Sequence, residues 1–405
     1  MSKHIVLITT GQPAVNPRIV KEADLFAEEG YEVTLLYSYW IEWANDVDKS
    51  IISKAKWKNI LVGGTPHQQR FKYWTSRIKN KIYKIINIYL GNIFDVPENV
   101  QARTYGSLLK TAKSIKADWF IGHNLGALPI AVKAAEYHNA NAAFDFEDYH
   151  RSEIKAMLKS DINRITFLEE KYLNKVNYIS TSSPLITRKV RNNFQHLTIP
   201  IVTILNVFPR QNQLEFKSKN KNEIDIQLFW FSQTIGENRG LESVLEAMNL
   251  LGDESIHLTL VGRCTPEVKK EFLSIVGNLA KNIHFLGTVS PHEIEKIAST
   301  MHIGLALEEN LPLNRDICLT NKLFTYIQAG NAIILTDTQA QTDFQLKYDV
   351  GILCKSNSSE DICKALLKFK RDPKLLDTYR IKNWQLANKE LNWEVESKEI
   401  LNLIH

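Results

Sequence analysis

Short β-rich runs alternate with helical patterns along the whole chain, and this alternation constrains the fold more than any other feature. A strand that returns through a helix to a second strand gives parallel sheets covered by helices. In the first half, strands are expected at His4–Thr9, Glu32–Tyr37, Trp119–Gly122, Ala142–Asp145 and Tyr178–Ser182. The clearest helix between them runs from Pro17 to Gly30: Ile19, Val20, Ala23, Phe26 and Ala27 share one apolar stripe, Pro17 suits the first turn and Gly30 the stop. The pattern pauses at Asn206-Val207-Phe208-Pro209, and a polar stretch follows from Lys217 to Glu223. A second alternation then gives strands at Ile226–Phe231, His257–Val261, Ile283–Leu286, Ile303–Leu307 and Ala332–Thr336. A chain of 405 residues exceeds one comfortable core. Two α/β domains facing across a cleft are therefore expected, over residues 1–208 and 209–385, with a terminal helix at 386–405 packing back on the first.

Composition removes several classes. With 44% hydrophobic and 23% charged residues the chain is of ordinary globular make-up. No apolar run approaches the roughly 20 residues of a spanning helix. The run Ile5-Val6-Leu7-Ile8 is too short for a leader and ends in Thr-Thr-Gly, so it reads as a first buried strand. Cys264, Cys318, Cys354 and Cys363 show no paired spacing, which argues against a zinc site or a disulfide framework and fits a reducing, cytoplasmic setting.

Chemistry is expected where strands give way to helices. Gly11, after the first strand, lets a ligand approach the backbone, and the helix start beyond it favours an anion. Arg18 and Lys21 face either a phosphate or solvent. Gly122-His123-Asn124-Leu125-Gly126 sets a histidine at the carboxyl edge of the sheet, where it either binds a sugar hydroxyl, shuttles a proton or merely caps. In Asp145-Phe146-Glu147-Asp148-Tyr149-His150 the acids suit sugar hydroxyls or a base better than a metal, and Glu147 is the preferred candidate. In the second half, Arg239 stands just before the helix Leu241–Leu251, where a cation opposes the helix dipole and a bound diphosphate would explain it. A further helix starting near Thr320 and stopping at Gly330 would present Asn321, Lys322 and backbone N–H groups to an anion.

Charge is uneven. From Lys49 to Phe94 there are ten Lys or Arg residues and no Asp or Glu. Within it Phe71, Trp74, Ile78, Ile82, Ile85 and Tyr89 recur at helical spacing, with Arg70, Arg77, Lys79, Lys81 and Lys84 around them. Such a helix suits either an anionic bilayer surface or a domain core with a solvated basic face. No nucleic-acid motif accompanies the charge.

Together these segments resemble the GT-B retaining glycosyltransferases of family four, which build bacterial surface polysaccharides. Asn16-Pro17-Arg18-Ile19-Val20-Lys21-Glu22-Ala23 is similar to the family's opening helix, His123-Asn124 to its H-D pair, and Asp145-Phe146-Glu147 loosely to its D-x-x-E region. Arg239-Gly240-Leu241-Glu242 is similar to the donor loop, and Asn321-Lys322-Leu323-Phe324 through Ala329-Gly330 to N-K-L-F-E-Y-x-x-A-G. The resemblance implies two Rossmann-like domains and a metal-independent, retaining transfer from a nucleotide-sugar, with UDP- or GDP-sugar as substrate and no separate cofactor. It implies a glycan or lipid-linked acceptor at the cytoplasmic membrane face, with Arg239 and Lys322 on the diphosphate and His123 near the transferred sugar. Two departures stand out: Thr325 replaces a carboxylate that grips the ribose, and Gln233 and Thr234 replace a glycine and an arginine. Glu308 or Glu309 is the expected substitute carboxylate. The alternatives are a silent GT-B glycan or partner binder and another GT-B enzyme, a phosphorylase or epimerase.

Overall fold

The computed structural model describes residues 2–217 and 225–404. Residues 218–223 of the polar stretch lie outside the described residues. The chain divides into two compact units: Met1–Ile204 with the last residues from Leu401, and Leu205–Ile400.

The first unit is built on β1 (His4–Thr9), β2 (Glu32–Ser38), β3 (Lys58–Val62), β4 (Trp119–His123), β5 (Asn141–Phe146), β6 (Tyr178–Thr181) and β7 (Ile201–Thr203). The second holds β8 (Ile226–Thr234), β9 (Ile256–Arg263), β10 (Ile283–Phe285), β11 (Ile303–Ala306), β12 (Ala332–Thr336) and β13 (Gly351–Cys354). All pairings are parallel, in the orders β3-β2-β1-β4-β5-β6-β7 and β10-β9-β8-β11-β12-β13. These are two Rossmann-like sheets. Central strands such as β1, β4 and β12 are buried on both faces, so they read as near-continuous apolar runs.

Three strands were not expected from sequence: β3, β7 and β13. Each is an edge strand. Supported on one side only, β3 carries Lys58-Asn59-Ile60 exposed, and β7 has three residues. Trp119–His123 is thus the fourth strand in the chain, yet it lies beside β1. Strand order reverses between β1 and β4, and again between β8 and β11. At such a switch point the loops leaving the carboxyl ends diverge and leave a crevice for ligands.

Helix α1 (Pro17–Glu28) follows β1, capped by the Asn16 side chain on the Ile19 N–H at 3.1 Å. Helices α2 (Ala44–Lys54) and α3 (Arg70–Leu90) follow β2 and β3. In the second unit the helix Leu241–Leu251 starts on Gly240 at φ 76°, where a Cβ would lie 3.0 Å from Leu307. The helix Asn321–Ala329 stops on Gly330, at φ 70°.

Candidate functional site

The switch point of the second sheet carries a compact pocket lined by Trp230, Arg239, Leu307, Glu308, Glu309, Arg315 and Lys322. Trp230 comes from β8, Arg239 from the loop after it, the two glutamates from the end of β11, and Lys322 from the first turn of the helix Asn321–Ala329. Lys322 Nζ lies 2.8 Å from Glu308 Oε1 and 5.7 Å from the centre of the Trp230 ring. Arg315 reaches Glu309 at 3.9 Å, and Arg239 donates to the Ser232 hydroxyl at 3.0 Å. Burial, and then the neighbouring Arg315, push the Arg239 pKa down, while Glu308 opposes them. Three cations thus face two carboxylates. The Trp230 indole N–H is buried and has no acceptor among the described residues.

That arrangement suits an anion with several oxygens. Guanidinium groups bind phosphates bidentately, and an ammonium adds a point charge. The free volume is only ≈ 20 Å³, because Lys322 and Glu308 pair across it. A phosphate would replace Glu308 as the partner of Lys322.

Of the donor-site candidates, Arg239, Glu308, Glu309 and Lys322 meet here. Asn321 and Thr325 do not line the pocket. Asn321 Oδ1 accepts from Asn206 at 2.6 Å. Thr325 is buried and its hydroxyl donates to the Asn321 carbonyl, one helical turn back, at 3.0 Å. Thr325, which stands where the resembled family has a carboxylate, thus spends its proton on its own helix. Gly11 belongs to the first unit, where its carbonyl accepts from the Ser38 N–H at 3.0 Å. Sequence reasoning missed Arg315 and Trp230. Arg315 follows Glu309 closely enough to have been suspected, whereas Trp230 lies within an apolar strand and reads as core.

In the first unit, His123 is completely buried. Its Nε2 lies 3.0 Å from Glu22 Oε2 and its Nδ1 3.3 Å from Asp145 Oδ2. Arg18, buried as well, sets Nε 2.5 Å from Asp145 and a second nitrogen 2.5 Å from the Ile204 carbonyl. Burial alone would lower the His123 pKa, but Glu22 and Asp145 overcome it and raise it to about 10. Asp145 resists burial in the same way and is held down to about 2 by Arg18 and His123. His123, expected near a transferred sugar, thus lies inside the first unit with Nε2 on Glu22 and Nδ1 beside Asp145. Arg18 likewise faces neither phosphate nor solvent. Glu22, His123 and Asp145 offer ligand atoms within 4.8 Å of one another. However, the Arg18 guanidinium holds the carboxylate face that a metal ion would need.

Glu147 differs. It is half-buried at the end of β5 and accepts from the Asn16 amide at 3.0 Å. Burial, then Asp145, raises its pKa to about 8, so near neutral pH it keeps its proton. Beside β4, Asn124 takes a left-handed φ of 68° and ties two turns together, donating to Thr9 and accepting from Thr10, both at 2.9 Å. An amide does both; a carboxylate could only accept.

On α3 the stripe turned to the body is Tyr73, Ser76, Asn80, Tyr83 and Asn87. Asn80 donates to the Asn99 carbonyl at 2.6 Å, and Arg103 to the Ser76 hydroxyl at 2.7 Å. Phe71, Trp74, Ile78, Ile82, Ile85 and Tyr89 are all exposed. The alternative in which these residues form a core face is thereby excluded. Helical geometry sets Arg70, Arg77, Lys81 and Lys84 along one side of this apolar stripe and Lys72 and Lys79 along the other. No helix of the described residues is long and apolar enough to cross a membrane.

Comparison with known proteins agrees with this architecture. No curated protein matches the sequence. Among solved structures, Anabaena HepE in complex with UDP-glucose has 10% sequence identity and a TM-score of 0.69, covering 99% of both chains. Sucrose-phosphate synthase from Thermosynechococcus elongatus has 12% identity and a TM-score of 0.67, covering 99% of this chain and 98% of its own. A mutant of S. aureus TarM in complex with fondaparinux, α-GlcNAc-glycerol and UDP matches at 12% identity and a TM-score of 0.67 over 100% of both chains. At such identities the likeness is one of fold, the two-domain GT-B architecture. Residues 226–372, which contain the whole cationic pocket, match the family described as Glycosyl transferases group 1.

Proposed function

We propose that this protein is a retaining glycosyltransferase that takes a sugar from a nucleotide-sugar, UDP- or GDP-linked, and delivers it to a lipid-linked or polysaccharide acceptor at the cytoplasmic membrane face. The observation that carries the reading is the convergence of Arg239, Arg315 and Lys322 with the unpartnered Trp230 N–H at the switch point of the second sheet, inside the segment that matches group 1 glycosyltransferases. The similar Anabaena and S. aureus structures hold UDP or UDP-glucose, which supports a donor of that class.

Under this reading the three cations hold the diphosphate and stabilise the charge that develops on it as the glycosidic bond breaks. The departing diphosphate oxygen is the acceptor for the proton of the attacking hydroxyl, so no metal is required. Glu147, with its pKa raised by burial, supplies a proton for a hydrogen bond to a sugar hydroxyl under this reading. His123 acts as a positioning residue that fixes β4 and α1. The exposed stripe of α3 with its basic flanks supports attachment to an anionic bilayer, where each basic residue adds about 1 kcal/mol.

The test is incubation with a panel of UDP-, GDP- and dTDP-sugars, with and without membranes, following nucleoside diphosphate release. Release with one donor, abolished in Arg239→Ala, is expected, and the product anomer read by NMR should keep the donor configuration. No release and no thermal shift with any donor would sink the reading. It would favour instead a silent glycan or partner binder, the alternative that the committed Thr325 hydroxyl supports.

A further inference from the structure

The first unit has a concavity of its own, away from the buried ion network. A cavity of ≈ 410 Å³ opens at the carboxyl edge of β2 and β3, lined among others by Gln12, Tyr37, Tyr39, Glu42, Asp48 and His67. Small-molecule sites fall in the range of about 300–1,000 Å³, which admits one or two sugar rings here.

Its floor is closed within the protein. Gln12 donates to Asp48 Oδ2 at 2.7 Å and accepts from the Trp40 and Ile41 N–H groups at 2.8 and 2.7 Å. Asp48 Oδ1 takes the Ala14 N–H at 2.8 Å. The rim is linked but open: the Tyr39 hydroxyl donates to Glu42 at 2.8 Å, and His67 Nε2 lies 3.2 Å from the same carboxylate. Tyr37 stands apart. It is 7% exposed, yet its hydroxyl has no hydrogen-bond partner among the described residues although it borders the cavity. The hydroxyl opens on the cavity rather than being sealed off, so it is free to exchange water for a ligand hydroxyl. Burial, and then Asp48, push the Tyr37 pKa up to about 12, so the group remains a neutral donor and acceptor.

The lining also selects by charge. Glu42 and Asp48 outweigh Lys49, the one ammonium at the cavity. An anion is repelled here, whereas the pocket of the second unit attracts one. We infer that this cavity binds a neutral polyhydroxylated ligand, a sugar ring or a polyol, with the Tyr37 hydroxyl as its inner contact and Glu42 and His67 at the mouth. If the proposed transferase activity holds, the cavity is a seat for a neutral sugar of the acceptor; its binding test needs no turnover.

The experiment is calorimetric titration of the full-length protein with methyl α-glucopyranoside, methyl β-galactopyranoside, methyl α-mannopyranoside and glucose 6-phosphate. At least one neutral glycoside should bind, and more tightly than glucose 6-phosphate. Tyr37→Phe should weaken it about fivefold, the effect of one hydrogen bond, without lowering the melting temperature, because the hydroxyl holds nothing in the free protein. Glu42→Gln should narrow the gap to glucose 6-phosphate, and Lys322→Ala should leave glycoside binding as it is while removing any glucose 6-phosphate taken up by the cationic pocket of the second unit. Failure of all three glycosides to bind would overturn the inference, as would affinity indifferent to Tyr37→Phe or a melting temperature lowered by that change. Glycoside binding without nucleotide-sugar binding would uphold this site while refuting the proposed donor reaction.

Discussion

Replacing His123 separates a structural histidine from a catalytic one. In the folded protein it is buried between Glu22 and Asp145 with a pKa near 10, against an ordinary value of 6.5. At about 1.4 kcal/mol per pH unit, that rise corresponds to a contribution on the order of 5 kcal/mol. Breaking a buried ion pair by removing one partner costs about 3–5 kcal/mol, an independent figure of the same size. His123→Gln leaves two carboxylates with Arg18 and, below about pH 7, Lys21 as their remaining cations, so the loss should fall in that range. The sign of the pH dependence follows from the direction of the shift. A base whose folded pKa is raised contributes its full stabilisation below pH 6.5 and loses it as pH climbs through about 10. The stability difference between wild type and His123→Gln should therefore be greatest near pH 6 and shrink toward pH 10.

The assay is urea dependence of hydrogen exchange at the β4 and β5 amides, which reports the first unit alone, at pH values from 6 to 10. UDP binding should be unaffected at moderate pH, since the cationic pocket lies within the second unit. A difference under 1 kcal/mol, or one that does not vary with pH, would refute the ion-network account. A variant with full stability and lost turnover would restore the histidine to the chemistry.

Other consequences are open to direct measurement. Arg315→Ala should weaken nucleoside diphosphate binding about tenfold to a hundredfold, as for a lost charge-assisted contact of about 1.5–3 kcal/mol; calorimetry that finds no change removes Arg315 from the site. Glu308→Gln should tighten the same ligand, because Lys322 loses its competing carboxylate, and weaker binding would show that Glu308 itself holds the donor. Reversing Lys79, Lys81 and Lys84 to Glu removes about 3 kcal/mol of attraction, so co-sedimentation with phosphatidylserine vesicles should fall about a hundredfold; insensitivity to both this change and salt would dismiss the bilayer contact. The Glu147 pKa is raised, so the folded form keeps a proton that the unfolded chain loses, and its stabilisation fades as pH rises from 4.5 through about 8. Glu147→Gln should abolish that decline in melting temperature, and an identical pH profile would contradict the burial argument. Gly330→Ala should cost about 1–2 kcal/mol for its left-handed φ alone, read from denaturant midpoints.

What could be read from the sequence, and what could not, follows from where each interaction partner lies along the chain. Central strands announce themselves because burial on both faces demands unbroken apolar runs; β3, β7 and β13 do not, because an edge strand has one neighbour and a face for water. That Arg239 and Lys322 meet in one pocket follows from features the sequence displays, a cation set against a helix dipole for Arg239 and a helix start presenting N–H groups for Lys322. Trp230 displays no such feature, since its indole sits in a strand that any reader assigns to the core. His123 shows the same limit from the other side. A histidine at a sheet edge has equal claim to a substrate and to a carboxylate, and the carboxylate that decides the matter, Glu22, is 101 residues away. Helix α3 is the most instructive case. Its apolar period was plain, but period fixes only which residues share a face, not which face meets the body. Here the packed face is a mixed one, with Tyr73 buried and Asn80 and Ser76 finding partners on Asn99 and Arg103, and the larger apolar stripe is left outward. A soluble helix has no reason to expose Phe71, Trp74, Ile78, Ile82, Ile85 and Tyr89 between two rows of basic residues. Under the proposed reading, a surface that is apolar within and anionic at its boundary would match both features at once, and the vesicle measurement above is what decides it.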